Sequence, residues 1–280
     1  MNILLIAALL PVIALGYYIY IKDTHTEPTD LLLKIFGMGC LIVIPVLILE
    51  IILGHYFPTE GVPNFMKVFI NTFISVAIVE EAFKWIVTKK YGYNSDSFDE
   101  IYDIIVYAVF ASLGFAAVEN VLYVFGGGLA TAFVRALLSI PGHTCFGVLM
   151  GYYLAKAKIN SNSGNYLLHN KNMILSLLLP AIGHTIYDAI LLYSNNIKSN
   201  EYMIYFYLFF IVLVVVCFII VKRLSKMQQN LTTGVKEGTI VVPKNGNIEI
   251  GNTNIDNCPI CGKYVKGFDY CPYCGIKLKK

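Results

Sequence analysis

Charge is scarce in this sequence. Asp, Glu, Lys and Arg make up 14% of its 280 residues, while 57% are hydrophobic and the mean hydropathy is +0.65. Soluble globular domains carry about 25% charged residues. The low charge content therefore excludes a soluble globular protein and predicts that most of the chain lies in a membrane. Ten of the 21 basic residues follow Val221, and such a tail after a membrane segment marks a cytoplasmic face rather than a nucleic-acid surface.

Three familiar patterns are also missing. The sequence has no H-E-x-x-H motif, which excludes the zincin type of zinc site. It has no internal repeat, which argues against a carrier built from inverted halves. Its start, Met1-Asn2-Ile3, lacks the positive charge of a signal peptide. The first apolar run is therefore predicted to stay in place as a membrane anchor.

Seven runs are apolar enough to span a bilayer as helices of about 20 residues. They are residues 2–21, 31–53, 65–88, 102–125, 129–155, 172–193 and 202–221. Basic residues flank the first, third and fifth connections and open the tail, and they are scarce in the other connections. The sequence thus predicts an all-α polytopic protein of the cell membrane, with its N-terminus outside and its C-terminus in the cytoplasm.

The chain divides into three predicted parts. Residues 1–221 form the transmembrane domain, residues 222–257 a polar segment, and residues 258–280 a C-terminal module. In the polar segment, Asn245-Gly246 separates two short β-prone runs, which predicts a β-hairpin; a flexible linker is the alternative.

The C-terminal module carries two C-x2-C pairs, Cys258 with Cys261 and Cys271 with Cys274. Four thiolates complete a tetrahedral shell without an open position, which is typical of a structural zinc site. The pairs are nine residues apart, so the module resembles a minimal zinc ribbon that the metal holds folded. Iron would fit the same sulfurs, whereas disulfides are disfavoured in the cytoplasm. The predicted role is recognition of a cytoplasmic partner.

Ionisable residues occur inside four consecutive predicted spans, although each costs at least ~2.5–3.5 kcal/mol near the bilayer centre. Helical spacing pairs Glu80 with Lys84, and His184 with Asp188, at i,i+4. A single intramembrane histidine is commonly a hydrogen bond between helices. A set on four adjacent spans instead predicts one shared polar cavity. Glu50, near the outer end of the second span, is expected at the membrane interface.

Four motifs in this order resemble the PrsW family of intramembrane proteases and, more distantly, the CAAX prenyl endopeptidases. They are Glu-Glu-x-x-Lys, Phe-x-x-x-Glu-Asn-x-x-Tyr, Arg-x7-His-x7-Gly and His-x-x-x-Asp, within about residues 65–193. The resemblance implies hydrolysis of a peptide bond in a membrane-protein substrate, with anti-sigma factors as one substrate class. Carried over by motif, the catalytic residues are Glu80, Glu81, Glu119, His143 and His184. The positioning residues are Lys84, Asn120, Arg135 and Asp188.

Two chemistries stay open for such a site. In the glutamate type, one carboxylate of the Glu80–Glu81 pair activates water, the other can serve as an acid, and a histidine faces the oxyanion. In the metal-assisted type, Glu119, His143 and His184 ligate a divalent metal that activates water. Simple span lengths place Glu119 near an outer end and both histidines near mid-span. The metal-assisted set therefore requires shifted boundaries or a broken helix.

A different class of function is a non-catalytic receptor or adaptor that binds a ligand in the polar cavity and signals through the ribbon. An ion or small-solute carrier would use the same carboxylates as a relay. The paired glutamates combined with two histidine motifs favour hydrolysis over both.

Overall fold

A computed structural model describes residues 2–98, 100–162, 165–236, 240–241, 249–250 and 258. The helices are α1 Asn2–Ile21, α2 Thr29–Leu41, α3 Val43–Tyr56, α4 Phe65–Thr72, α5 Ile78–Val87, α6 Asp103–Leu137, α7 Ser139–Asn162, α8 Tyr166–Asn196 and α9 Glu201–Lys236. Two π-helical turns flank α5: π1 is Phe73–Ala77 and π2 is Thr88–Tyr93. Within these residues the architecture is all-helical apart from one small strand pair.

Five segments of the described chain are long and apolar enough to cross a membrane. They are Ile3–Ile21, Thr29–Tyr56, Asp103–Ser161, Tyr166–Asn196 and Glu201–Gln229. The third of these segments contains two of the seven predicted spans. The predicted span at residues 65–88 is instead divided among α4, π1, α5 and π2. Such π turns insert an extra residue into a helix and are frequent at functional sites.

The glycine run at residues 126–128 breaks α6 without ending it. Gly128 has a φ of 75°, a left-handed conformation that glycine adopts without a steric cost, and the helix resumes to Leu137. Consequently α7 begins at Ser139, and His143 lies near its start rather than at mid-span. The predicted span at residues 129–155 is therefore displaced towards the C-terminus. The break in α6 and the later start of α7 are the two changes that the sequence required to bring Glu119 and His143 together.

Helix α6 lies at the centre of the core, against α1, α2 and α7. Its backbone almost touches that of α2, because a Cβ on Gly39 would lie 2.3 Å from the Ala111 carbonyl oxygen. Likewise, a Cβ on Gly151 of α7 would lie 2.7 Å from the Cα of Ile105. Small residues allow such close helix crossings in membranes. These contacts fix α6 and α7, which carry half of the polar motifs.

Helix α9 continues well past residue 221, where the sequence placed the start of a polar segment. Ser225 donates a hydrogen bond to the Lys22 carbonyl oxygen at 2.6 Å, and Gln228 Nε2 donates to Asp23 Oδ1 at 2.9 Å. These bonds hold the extension against the connection that follows α1. Beyond it, β1 (Ile240–Val241) pairs antiparallel with β2 (Glu249–Ile250) in the region of the predicted hairpin or linker.

Candidate active site

Helix α5 brings three ionisable side chains together inside the protein. Lys84 Nζ lies 2.8 Å from Glu80 Oε2 and 2.9 Å from Glu81 Oε1, and all three side chains are buried. The ammonium group also lies 4.3 Å from the centre of the Phe115 ring, a cation–π distance. The lysine compensates part of the charge of the carboxylate pair, which would otherwise be prohibitive in an apolar environment.

Helix α8 places His184 between two carboxylates. Its Nδ1 lies 3.1 Å from Glu81 Oε1, and its Nε2 lies 3.1 Å from Asp188 Oδ2. The Phe146 ring of α7 stacks on the imidazole with 4.8 Å between the ring centres. Two polar contacts and one stacking contact therefore fix the orientation of this ring. Phe146 belongs to no polar motif, so sequence reasoning offered no signal for it.

The break at Gly128 assembles a second set of contacts. Arg135 Nη2 lies 3.1 Å from Glu119 Oε2, and Arg135 Nε donates to Asn120 Oδ1 at 2.8 Å. In a straight helix, residues 16 positions apart would be about 24 Å apart. Asn120 Nδ2 in turn donates to the Ala8 carbonyl oxygen of α1 at 2.7 Å. The second half of α6 is thus folded back on the first half and anchored to α1.

His143 joins the two sets of residues. Its Nε2 lies 2.8 Å from Glu119 Oε2, and its Nδ1 lies 3.2 Å from Lys84 Nζ. Because an ammonium group only donates hydrogen bonds, Nδ1 must accept and Nε2 must carry the proton that faces Glu119. Lys84 thereby directs its three N–H groups to Glu80, Glu81 and His143. The nine predicted catalytic and positioning residues in the membrane domain form one connected network.

Glu80, Glu81 and His184 fit a metal site by their chemistry and placement. Each offers a ligand atom, these atoms lie within 4.8 Å of one another, and all three residues are buried. Glu81 Oε2 is buried and has no hydrogen-bond partner among the described residues, so one carboxylate oxygen is available. Two carboxylates and one imidazole make a three-ligand set that leaves a position for water.

The ligand set that the sequence suggested for the metal-assisted alternative differs from this one. It consists of Glu119, His143 and His184, but the described residues show no three-ligand group that contains Glu119 or His143. The cause is geometric, because Glu119 contacts His143 and Arg135, whereas His184 Nδ1 faces Glu81.

Glu50 on α3, which the sequence predicts at the membrane interface, is partly buried against the helix bundle. Its Oε1 is buried without a hydrogen-bond partner in the described part of the chain, and the charges of Glu80, Glu119 and His184 act on it. Glu50 lies in an apolar segment, where an ionisable side chain costs free energy just as it does at Glu80. Sequence reasoning set it aside because it stands near the end of a predicted span.

The family model described as PrsW family intramembrane metalloprotease matches residues 27–217. The chain belongs to the PrsW family. The match runs from the connection before α2 into α9, well beyond the four motifs. This PrsW-family chain is therefore an intramembrane metalloprotease, an integral membrane protein with a catalytic metal and a protein substrate. Membership favours the enzyme over the receptor, adaptor or carrier alternatives.

Three curated relatives, each named Protease PrsW, illustrate the similarity. The protein from Oceanobacillus iheyensis is 41% identical over 188 residues, which cover 67% of this chain and 82% of the relative. The protein from Bacillus subtilis is 38% identical over 191 residues, with 68% and 83% covered. The protein from Clostridioides difficile is 30% identical over 194 residues, with 68% and 79% covered. No solved structure matches the chain.

The predicted zinc ribbon lies beyond the matched region. Cys258 is buried, whereas Cys261, Cys271 and Cys274 lie outside the described residues. The structural zinc and the cytoplasmic partner of the ribbon therefore stay predictions, as does the orientation of the chain in the membrane.

Proposed function

We propose that Glu80, Glu81 and His184 hold the catalytic divalent metal of this PrsW-family protease. The observation that carries the proposal is the buried convergence of their ligand atoms within 4.8 Å, with Glu81 Oε2 free of hydrogen bonds among the described residues. When bound, such a cation acts as a Lewis acid that polarises a carbonyl and activates a water molecule. The paired glutamates identified by the sequence then serve as metal ligands.

Lys84 has the role of a fixed counter-charge. Its contacts with Glu80 Oε2 and Glu81 Oε1 compensate the charge of the carboxylate pair and hold its orientation. Asp188 orients His184 through Nε2, which leaves the Nδ1 side directed at the carboxylate pair. These groups act by positioning the ligands, a task in which displacements of about 1 Å can cost 100-fold in rate.

His143 and Glu119 form the proton-transfer pair. Glu119 accepts the Nε2–H of His143, and Arg135 holds Glu119 in place. The unprotonated Nδ1 of His143 can exchange its hydrogen bond from Lys84 for a proton from the attacking water and deliver that proton to the leaving amine nitrogen. The hydroxyl group of the water then remains on the acyl carbon as the peptide C–N bond breaks. Asn120 supports the pair indirectly by anchoring Arg135 to α1.

The decisive experiment measures cleavage and metal content together. Full-length protein in liposomes is given a single-span substrate, and wild type is compared with Glu80→Gln and Glu81→Gln. All proteins carry Cys258→Ser and Cys271→Ser, so that ribbon metal does not contribute. We expect each glutamine variant to lose bound metal and at least about 100-fold in kcat/KM. The exposed Glu60→Gln is the matched control. Wild-type metal content in both variants would contradict the ligand assignment.

The substrate is proposed to be a single-span membrane protein, with anti-sigma factors as the first class to test. The proposal is supported by the motif resemblance. An anti-sigma factor should be cleaved by wild type and not by Glu81→Gln, whereas an unrelated single-span protein of equal length should stay intact. Equal cleavage of both would refute a preference for this class.

The chain is proposed to cross the membrane seven times. The crossings are α1, α2 with α3, the unit from α4 to π2, α6 up to Gly128, α7, α8 and α9. The basic residues that flank alternate connections support an outer N-terminus and a cytoplasmic C-terminus. In intact cells, an impermeant thiol reagent should label Glu60→Cys and not Asp96→Cys, both of which are exposed positions. The reverse labelling pattern would invert the orientation.

The four tail cysteines are proposed to bind one structural zinc. Two C-x2-C pairs in a cytoplasmic tail support this assignment. Cys258→Ser combined with Cys271→Ser should remove one zinc per chain while cleavage in liposomes persists. Unchanged zinc content would contradict the proposal.

A further inference from the structure

Glu50 is a partly buried acidic residue that the proposed mechanism does not use. It lies on α3, within the membrane segment Thr29–Tyr56. Its neighbours Ile48 and Ile51 are 54% and 74% exposed and point outwards from the helix bundle. By contrast, Glu50 Oε1 is buried and accepts no hydrogen bond from any described residue. Desolvated polar atoms without a partner are costly, so this oxygen is expected to have one during function.

The surroundings of Glu50 identify which site it faces. Helix α3 packs against π1, α5 and α6. Two of these elements carry site residues, because Glu80 and Lys84 lie on α5 and Glu119 lies on α6. Glu50 therefore approaches the active site from a helix that supplies none of its other residues.

The other acidic groups of the site are already held by neighbours or assigned to the metal. Glu119 is held by His143 and Arg135, and Glu80 is held by Lys84. With Glu81 Oε2 assigned to the metal, Glu50 Oε1 remains as an acceptor for a molecule that enters the site.

A membrane-protein substrate needs an acceptor of this kind. The scissile peptide bond of a spanning helix becomes accessible only when the helix unwinds locally, which frees backbone N–H groups from their i−4 carbonyls. In the bilayer core, water is absent and each freed group must find a partner in the protein. The oxygen of a carboxyl group accepts a hydrogen bond from such an N–H group.

We propose that Glu50 is a substrate-positioning residue, whose Oε1 accepts a backbone N–H of the unwound substrate segment beside the scissile bond. The inference rests on the proposed function. It adds a contact that recognises the unwound backbone rather than a particular side chain.

The test compares Glu50→Leu with Glu50→Gln in the liposome assay. Leucine removes the acceptor, so kcat/KM is expected to fall about 10- to 100-fold, mainly through KM, with metal content unchanged. Glutamine keeps an acceptor oxygen and is expected to stay within about fivefold of wild type. Wild-type kinetics in Glu50→Leu would overturn the proposal. Equal losses of kcat/KM in both variants would overturn it, because they would indicate that Glu50 transfers a proton. Loss of metal would also overturn it, because Glu50 would then be a metal ligand.

A modified substrate separates positioning from a structural role. Synthetic single-span substrates are prepared in which one backbone amide near the scissile bond is replaced by an ester, which removes one N–H group. At one position the ester should slow wild type about 10-fold or more and cause no further loss in Glu50→Leu. Equal slowing of both proteins at every position would refute the contact. Failure of the metal-site proposal would appear separately, as wild-type metal content in Glu81→Gln.

Discussion

Two buried groups of potential metal ligands among the described residues have similar geometry and different partners. The site cluster consists of Glu80, Glu81 and His184, and the loop cluster consists of Asp23, Glu27 and Asp103. In each cluster the three ligand atoms lie within 4.8 Å of one another, and all six side chains are buried. Distance and burial alone therefore do not distinguish a catalytic centre from a cluster that only connects structural elements.

The partners distinguish the clusters. The ammonium group of Lys84 compensates the carboxylates of the site cluster inside the membrane segment. Neutral donors bind the loop cluster: Gln228 Nε2 donates to Asp23 Oδ1 at 2.9 Å, and the Tyr107 hydroxyl donates to Glu27. These bonds tie the connection between α1 and α2 to α6 and α9. A buried cation therefore distinguishes the site cluster from the loop cluster.

The largest effect is expected from Lys84→Met, which removes the cation of the site cluster. Two buried carboxylates would lose their compensating charge, and breaking a buried pair costs ~3–5 kcal/mol of stability. Cleavage should fall below detection, and the free energy of unfolding should decrease by about that amount. Denaturant titration and the liposome assay measure the two effects. The exposed Lys67→Met is the control. Retained cleavage would remove the distinction between the clusters.

An intermediate effect is expected from Arg135→Lys. A lysine has one ammonium group and does not reproduce the simultaneous contacts of Arg135 with Glu119 and Asn120. Losing a hydrogen bond to a charged group should lower kcat/KM about 10- to 100-fold. Metal content should stay unchanged, because Arg135 touches no proposed ligand. Arg223→Lys on an exposed part of α9 is the control. A parallel loss of metal would show that the second set of contacts supports the ligands directly.

The smallest effect is expected from Asp23→Asn in the loop cluster. Burial raises the pKa of the Asp23 carboxyl above its ordinary value. The folded protein then holds the proton of the Asp23 carboxyl more tightly than the unfolded chain, in which an aspartate has a pKa of about 3.9. The contribution of Asp23 to stability is thus greatest below that pH and is lost as the pH rises through the raised pKa.

The asparagine variant should therefore flatten this pH dependence while cleavage stays at the wild-type level. Thermal unfolding of both proteins between pH 4 and pH 7 measures the difference, with the exposed Asp30→Asn as the control. An unaltered pH dependence in Asp23→Asn would show that the loop cluster is not held by a buried proton. A loss of cleavage would instead link the loop cluster to the active site.

Local spacing within single helices predicted part of the candidate site. Glu80 with Lys84 and His184 with Asp188 are separated by one helical turn, and both pairs are in contact. Contacts between helices were not accessible in this way. His143 meets Glu119 across 24 positions because α6 breaks at Gly128 and α7 starts after Leu138, boundaries that hydropathy misplaces by about ten residues.

The sequence by itself determined that this chain is a helical membrane protein and that the ordered motifs belong to an intramembrane protease. It could do so because hydropathy and one-turn spacing are local properties of the chain. Only the tertiary structure decided which side chains meet in the site cluster. It placed Glu81, and not Glu119, beside His184, and it buried the Oε1 atom of Glu50. Those choices depend on helix crossings such as that of Gly39 with α6, where the absence of a side chain sets the distance between backbones.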